Sequence, residues 1–276
     1  MHRLSNPNFK YKAHSILNMT KKSLSQIEIK KIRKLAKQGK SLNEISNLLK
    51  VSKTTVYYWY TKTVGKKIKP IIIDRSNDFK IGEFIGAFAG DGNFYFDKKS
   101  YHYRVTFVTS SYEESYSLEL KNLISHIFGK EASRYKAGNK ISTIVYGKDI
   151  LKFLKEYLIW EGEKGYTVRL RCDLSSYSKT FLKGFIRGLF DTDGNVNKKK
   201  AQITVGSISK HLILQVSYIL KTLNLDHSFY RFKPKPNKRE FNCIYIYNRK
   251  NLQRFNEIIG FTNPIKKERI ENILRR

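Results

Sequence analysis

The chain has 276 residues, enough for two or three domains, and 40% of them are hydrophobic, so it can bury sizeable cores. Its 54 Lys and Arg against 23 Asp and Glu give a formal net charge of +31, which exceeds what solubility requires and indicates a polyanionic partner. The two cysteines lie far apart in the sequence, so we expect neither a disulfide framework nor a cysteine metal site. The sequence has no signal-type or membrane-spanning apolar run, so we expect neither secretion nor a membrane protein. We expect an intracellular protein of the cytoplasm, the nucleoid or an organelle matrix.

The N-terminal region is strongly basic, since residues 1–77 hold 18 Lys and Arg against 3 Asp and Glu. A polar arm is predicted over 1–22 and a basic linker over 65–77, which carries Gly65 and Pro70. Both are expected to follow the backbone of a nucleic acid. Ile71 to Ile73 are expected to dock on the protein or to form an edge strand.

Between these segments, residues 23–64 predict three helices. Ser25 with Glu28, and Ser41 with Glu44, have the capping-box spacing that begins a helix. The third helix begins near Lys53.

The third helix carries the residues expected to meet DNA. We expect Val56 and Trp59 to face inward, and the following side chains to be exposed: Lys53, Thr54, Thr55, Tyr57, Tyr58 and Tyr60. The pattern resembles the helix-turn-helix of site-specific recombinases and transposases, which implies that this helix enters a major groove. The alternative is a small helical bundle used for protein contact.

The rest of the chain predicts two similar repeats, residues 78–176 and 177–276. Each has the order helix, strand, strand, helix, strand, strand, helix, from apolar periodicity and turn residues. The fold class is therefore α+β: two pseudo-symmetric αββαββα repeats whose antiparallel sheets form a saddle, plus the small all-α domain.

Each repeat begins with the same motif, a short apolar helix that ends in Asp-Gly-Asn. The copies span 81–94 and 183–196, and their glycines lie four residues apart. Glycine destabilises a helix by about 1 kcal/mol relative to alanine, so such a stripe favours close approach of another backbone. If the two helices cross along these stripes, Asp91 and Asp193 come together.

These motifs resemble those of the LAGLIDADG homing endonucleases, over residues 78–276 in a two-motif, single-chain form. The nine motif positions are filled by 84–92 and 186–194. The resemblance implies a monomeric, site-specific endonuclease that hydrolyses both strands of a long double-stranded DNA target. The alternative is a pair of glycine-packed core helices with capping aspartates.

Two carboxylates at helix C-termini form an oxygen-rich, electronegative point suited to a hard divalent cation. We therefore expect Asp91 and Asp193 to be catalytic and to bind Mg²⁺, with Mn²⁺ able to substitute. The resemblance adds the main-chain carbonyls of Gly90 and Thr192 as ligands.

The resemblance also implies a catalytic lysine after the third helix of each repeat. Lys164 lies 73 residues after Asp91, and Lys266 lies 73 residues after Asp193, which favours this pair. Their expected role is to polarise water or to stabilise the developing oxyanion.

The sequence departs from the family pattern in two ways. Ala89 replaces the first motif acid, which Asp191 keeps in the second copy. At the strand ends, where relatives carry Gln or Asn, this chain has Ser110 and Ser207.

On the predicted saddle, polar and basic strand or turn residues are expected to form the electrostatic footprint on DNA. They are Lys98, Lys99, Arg104, Arg134, Lys136, Lys140, Lys198, Lys199, Lys200, Gln202, Arg231, Lys233, Lys238 and Arg239.

Two other functions stay open at this point. One is a DNA-binding regulator on the same fold with catalysis lost, although two retained motif aspartates argue against it. The other is an RNA maturase that binds its host intron RNA, alone or together with cleavage.

Overall fold

The computed structural model describes residues 24–65, 71–97, 102–233 and 239–275. Its contacts divide the chain into two compact units, Met1–Lys69 and Pro70–Arg276. The predicted arm at 1–22 lies outside the described residues, as do residues 66–70 of the predicted linker.

The first unit is a three-helix domain. Both predicted capping boxes form, because each serine accepts the amide of its glutamate and each glutamate carboxylate accepts the serine amide. The helices are α1 (Gln26–Lys37), α2 (Leu42–Leu49) and α3 (Lys53–Val64).

The core of this unit includes Ile32, Ile45 and Val56, none of which is accessible to solvent. Tyr60 is buried in the same cluster, so its predicted exposure is wrong. The reason is helical geometry, since Tyr60 lies one turn after Val56 on the inward face.

The second unit contains the two repeats. The first follows the predicted order, with α4 (Asp78–Ala89), β1 (Gly92–Asp97), β2 (His102–Ser110), α5 (Glu114–Phe128), β3 (Ser133–Ala137), β4 (Lys140–Tyr146) and α6 (Lys148–Tyr157). Ile71 and Ile73 pack against its core without forming a strand.

A short connection that the sequence did not predict joins the repeats, with β5 (Leu158–Ile159), α7 (Lys164–Thr167) and β6 (Arg169–Leu170). The second repeat then comprises α8 (Lys179–Thr192), β7 (Asn195–Asn197), β8 (Gln202–Ser207), α9 (Lys210–Thr222), β9 (Ser228–Phe232), β10 (Phe241–Tyr247), α10 (Arg249–Ile258) and α11 (Pro264–Arg275).

Each repeat builds one four-stranded antiparallel sheet, and the two sheets have equivalent strand orders, β1-β2-β4-β3 and β7-β8-β10-β9. Alternate residues of the central strands are buried against the helices, among them Val105, Phe107, Ile203 and Val205. Among the described residues of this unit, no helix packs on the other face of each sheet, and we call it the open face.

Helices α4 and α8 cross with their backbones in contact, as the glycine stripes predict. A Cβ at Gly86 would overlap the carbonyl oxygen of Phe185, and one at Gly188 would overlap that of Glu83. The crossing is therefore possible only with glycine at these positions, and it fixes where the two helices end.

Candidate active site

The C-terminal ends of α4 and α8 meet, which brings the two motif aspartates together. A Cβ at Gly90 would overlap Thr192 Oγ1 and would lie 3.2 Å from Asp193 Cγ. Asp91 and Asp193 follow these helix ends and both keep solvent access. One carboxylate from each repeat thus lies near the meeting point of the two helices.

Burial raises the pKa of both aspartates, and the charge of Asp91 further disfavours ionisation of Asp193. Partial burial, together with the charge of Asp91, raises the pKa of Asp193 to about 6 against the pull of Lys164 and Lys266. Burial also raises the pKa of Asp91, again opposed by Lys266 and Lys164. A divalent cation would offset this desolvation and repulsion, because it interacts only with the ionised carboxylates.

The donor set fits Mg²⁺, because the two aspartates offer carboxylate oxygens and the helix ends offer carbonyl oxygens. No group of three or more His, Cys, Asp or Glu side chains forms a metal cluster in the described part of the chain. An ion held by Asp91 and Asp193 would therefore take its other ligands from main-chain carbonyls, water or substrate phosphate, as Mg²⁺ commonly does.

Lys164 and Lys266 occupy equivalent positions at the ends of the motif helices. Lys164 Nζ donates to the carbonyl oxygens of Phe88, Ala89 and Gly90 at 2.6, 2.9 and 2.6 Å. Lys266 Nζ donates to those of Phe190, Asp191 and Thr192 at 3.0, 2.7 and 2.9 Å.

Each ammonium thus uses all three of its N–H donors on helix-terminal carbonyls, where the helix dipole also favours a cation. Burial lowers the pKa of Lys164 to about 8 and also lowers that of Lys266. The carbonyls of Gly90 and Thr192 accept these bonds, and each keeps a second lone pair for another ligand.

A buried polar network supports the second repeat, and sequence reasoning missed most of it. Asp191 is 1% exposed and accepts the amides of Thr262 and Asn263 at 3.0 and 2.9 Å. Thr262 Oγ1 donates to Glu83 on α4, and Asn263 Nδ2 donates to Glu113 at 2.7 Å. The available signals were an isolated glutamate in an apolar helix and the Asn-Pro start of α11.

In the first repeat, Ala89 leaves the corresponding place without a carboxylate. Trp160 there packs against Phe88, with ring centroids 5.7 Å apart. Apolar packing thus stands where the second repeat has hydrogen bonds.

The two serines at the strand ends are not equivalent. Ser207 pairs with Asn242, whereas Ser110 pairs with Lys140 and its neighbour Thr109 pairs with Ile141. The register therefore makes Thr109 the counterpart of Ser207. Ser110 lies one residue further along, on the open face.

The structure places several predicted DNA-binding residues at or beside the open faces. Arg104 lies on β2 between Tyr95 and Tyr146, with its guanidinium 5.0 Å from the ring centroid of Tyr95. Gln202 takes the equivalent place on β8 and pairs with Tyr247. The remaining members are exposed at strand ends or turns: Lys140, Lys198, Lys199, Lys200 and Lys233.

Other members of that set lie elsewhere. Arg134 and Lys136 face α5, where both pair with Glu114, at 3.4 and 3.9 Å, because their strand parity is that of the buried residues. Arg231 pairs with Glu240, and Arg239 lies 3.7 Å from the ring centroid of Tyr166. Three further lysines are outside the described residues: Lys98, Lys99 and Lys238.

In the first unit, α3 exposes Lys53, Thr54, Tyr57 and Tyr58, while Thr55 is half-buried and bonds to Ser52 at 2.7 Å. Lys62 Nζ lies 4.7 Å from the ring centroid of Tyr58. The helix thus presents basic, hydroxyl and aromatic groups together.

No helix among the described residues has the length and apolarity needed to cross a membrane.

Comparisons with known proteins agree with this architecture. A family model described as a LAGLIDADG-like domain matches residues 180–260. The homing endonuclease I-DmoI in complex with DNA and Ca has a TM-score of 0.53 at 17% identity, over 71% of this chain and 99% of that one. Mesophilic variants of I-DmoI give a TM-score of 0.52 over the same shares. At this identity, the likeness shows the fold.

Relatives by sequence include the uncharacterized protein MJ0398 of Methanocaldococcus jannaschii, 24% identical over 92% of this chain and 96% of that protein. The RNA polymerase subunit Rpo1C of the same organism is 26% identical over 76% of this chain. Initiation factor IF-2 of Thermococcus kodakarensis is 29% identical over 46% of it. The matched segment spans only 23% and 10% of those two proteins.

The LAGLIDADG-like domain at residues 180–260, the two crossed motif helices and the fold shared with I-DmoI together show a LAGLIDADG-type architecture with two motifs in one chain.

Proposed function

We propose that this protein is a site-specific homing endonuclease that hydrolyses both strands of a double-stranded DNA target with divalent metal ions. The observation that carries the proposal is the meeting of Asp91 and Asp193, one from each motif helix, on a chain of net charge +31. A protein that only binds DNA gains nothing from two partly desolvated carboxylates near phosphate.

In this proposal Asp91 and Asp193 hold the metal, and the carbonyls of Gly90 and Thr192 are available as further ligands. Bound Mg²⁺ or Mn²⁺ would supply an activated water, charge neutralisation at phosphorus and stabilisation of the leaving oxygen. Lys164 and Lys266 keep the two helix ends in place and add positive charge beside the reacting phosphate.

The open faces would position the duplex. Basic and polar side chains at or beside them neutralise phosphates, and Arg104 and Gln202 project from central strands, from which base edges are within reach. In the first unit, α3 would enter a major groove.

The relatives support an activity that is independent of any host protein. The names Rpo1C and initiation factor IF-2 describe unrelated activities, and only a minor part of each protein matches this chain. The shared segment is therefore proposed to carry a function of its own, separate from transcription and translation.

Cleavage is tested by exposing a randomised duplex library to the full chain with Mg²⁺ and sequencing the ends produced. We expect one recurrent sequence with both strands cut, and no cutting with chelator. Binding of that sequence without cutting in any divalent metal would instead favour the regulator. Binding of intron RNA in preference to the duplex would favour the maturase.

The role of the first unit is tested in the full chain by replacing Lys53 and Tyr58 with alanine. We expect about tenfold weaker binding and a smaller dependence of affinity on salt, because a phosphate contact is lost. Unchanged affinity at several salt concentrations would contradict this role and leave the cleavage proposal intact.

A further inference from the structure

The segment that carries Lys266 in the second repeat, residues 261–268, is held by a residue of the first repeat. We call it and its counterpart around Lys164, residues 163–170, the lysine-bearing segments. Asn263 is fully buried three residues before Lys266, and it caps the start of α11 by accepting the Ile265 amide at 3.2 Å. Its Nδ2 donates to Glu113 Oε1 at 2.7 Å. Glu113 is the residue immediately before α5, so this contact crosses between the repeats.

The reverse contact also exists. Ser209 is the residue immediately before α9 and is fully buried. Its hydroxyl donates to the carbonyl of Val168 at 2.7 Å. Val168 directly follows α7, and its amide donates to the Lys164 carbonyl at 2.9 Å. The second repeat thus holds the lysine-bearing segment of the first.

The two contacts come from equivalent places, because Glu113 and Ser209 both occupy the N-cap position of their repeat's second helix. The same position thus carries a different side chain in each repeat but makes the same kind of contact. This indicates that both repeats need the opposite lysine-bearing segment to be held in place. What they hold is also equivalent, since Lys164 and Lys266 each bind the last three carbonyls before a motif aspartate.

We propose that Glu113 and Ser209 are positioning residues, each of which holds the lysine-bearing segment of the opposite repeat. Through that segment, each fixes the end of the opposite motif helix and the aspartate that follows it. The surroundings of Asp91 and of Asp193 are thereby coupled, because each repeat makes a contact that holds the other. The inference rests on the proposed endonuclease function for its consequence in catalysis, but the bracing itself can be measured without cleavage.

Two variants test the proposal without removing a large side chain. Glu113→Asp keeps the charge but shortens the side chain, so it cannot reach Asn263. Ser209→Gly removes the hydroxyl at a helix start that tolerates glycine. Glu113→Gln is the matched control, because its amide oxygen still accepts the Asn263 bond.

The first measurement is hydrogen exchange in metal-free protein, in peptides covering 163–170 and 261–268. Glu113→Asp should speed exchange only in the second peptide, and Ser209→Gly mainly in the first. Glu113→Gln and Glu114→Ala, whose side chain pairs with Arg134, should leave both peptides at wild-type rates. Unchanged exchange in both peptides for Glu113→Asp and Ser209→Gly would overturn the proposal.

The second measurement is the rate of nicking of each strand of the selected target, with each strand labelled separately. Since small misplacements in an active site slow reactions by up to about a hundredfold, we expect Glu113→Asp and Ser209→Gly to shift the ratio of the two rates in opposite directions by about tenfold. Shifts in the same direction, no shift, or a Glu113→Gln variant as slow as Glu113→Asp would overturn the proposal. Failure of the wild-type chain to cut would instead contradict the proposed function, and the exchange result would still stand.

Discussion

The two repeats end their motif helices in the same way but support those ends with different chemistry. In both, one lysine binds three consecutive carbonyls and an aspartate follows. Behind this arrangement the second repeat has the buried Asp191 with two amide donors, whereas the first has Ala89 and the packing of Trp160 on Phe88. The lysine and the aspartate that both repeats share are what the proposed chemistry needs. The side chains that stabilise the helix end from behind can be polar or apolar.

The largest expected effect comes from removing the carboxylate of the aspartate that follows each motif helix. Asp91→Asn and Asp193→Asn should each reduce double-strand cutting by at least about a thousandfold, equivalent to about 4 kcal/mol, because each removes a charged metal ligand. Affinity for the target in Ca²⁺ should change little. The measurement is single-turnover cutting of a plasmid that carries the selected target.

The two single variants also compare the repeats, since a nick in one strand by either variant would assign that strand to the other aspartate. Full double-strand cutting by the variant with both substitutions would contradict the assignment of the metal site.

The second effect concerns the crossing of α4 and α8. Gly86→Ala and Gly188→Ala should each destabilise the second unit by about 3 kcal/mol or more, since the added Cβ overlaps backbone that cannot move aside. Equilibrium denaturation of the full chain measures this change. Gly165→Ala is the matched control, because a Cβ there has no atom within 4 Å.

Equal destabilisation by Gly86→Ala and Gly188→Ala would show that the crossing depends on both repeats alike. A Gly86→Ala variant as stable as Gly165→Ala would mean that the helices do not cross as described.

Most of the fold could be predicted because its signals are local. Capping boxes, apolar periodicity and glycine spacing located the helices and strands, and the repeat offset located Lys164 and Lys266. The face occupied by Arg134 and Lys136 could not be inferred because it depends on strand register, and a shift of one residue reverses it. The contacts of Asp191, Glu83 and Glu113 join segments 70 to 180 residues apart, and no local pattern marks such pairs.

The third effect compares equivalent residues on the two open faces. Arg104→Ala should weaken target binding by about 1–3 kcal/mol and lower the salt dependence of affinity, because a cation is lost. Gln202→Ala at the matching position should alter the preference for a base without changing the salt dependence. Binding of the selected target and of singly substituted targets at several salt concentrations separates the two outcomes.

Arg134→Ala controls for loss of charge alone, because its guanidinium bonds to Ser117 and Glu114 on the helix-covered face. If Arg134→Ala lowered DNA affinity as much as Arg104→Ala does, the face of the sheet on which an arginine lies would not decide whether it contacts the duplex.

The last expected effect is a dependence of stability on pH, to which the buried Asp191 of the second repeat contributes. Burial raises the pKa of Asp191 to about 7 in the folded protein, despite two amide hydrogen bonds that favour ionisation. Between pH 4 and pH 7 the folded state therefore binds more protons at this site than the unfolded state does. Stability should fall as pH rises through that range, and the Asp191 contribution should level off above pH 7.

Calorimetry of the full chain in chelator at pH 5 and pH 8 measures this fall. Burial raises the pKa of Glu83 as well, so the two groups act in the same direction. Asp191→Asn should reduce the difference between the two pH values even if it lowers stability at both, because the titrating group is gone. Ala89→Asp places the missing acid in the first repeat near the packed rings of Phe88 and Trp160, where the Glu161 amide already donates to Thr167 Oγ1. It should increase the fall with pH, and a variant with no added pH dependence would mean that the first repeat can pair that acid after all.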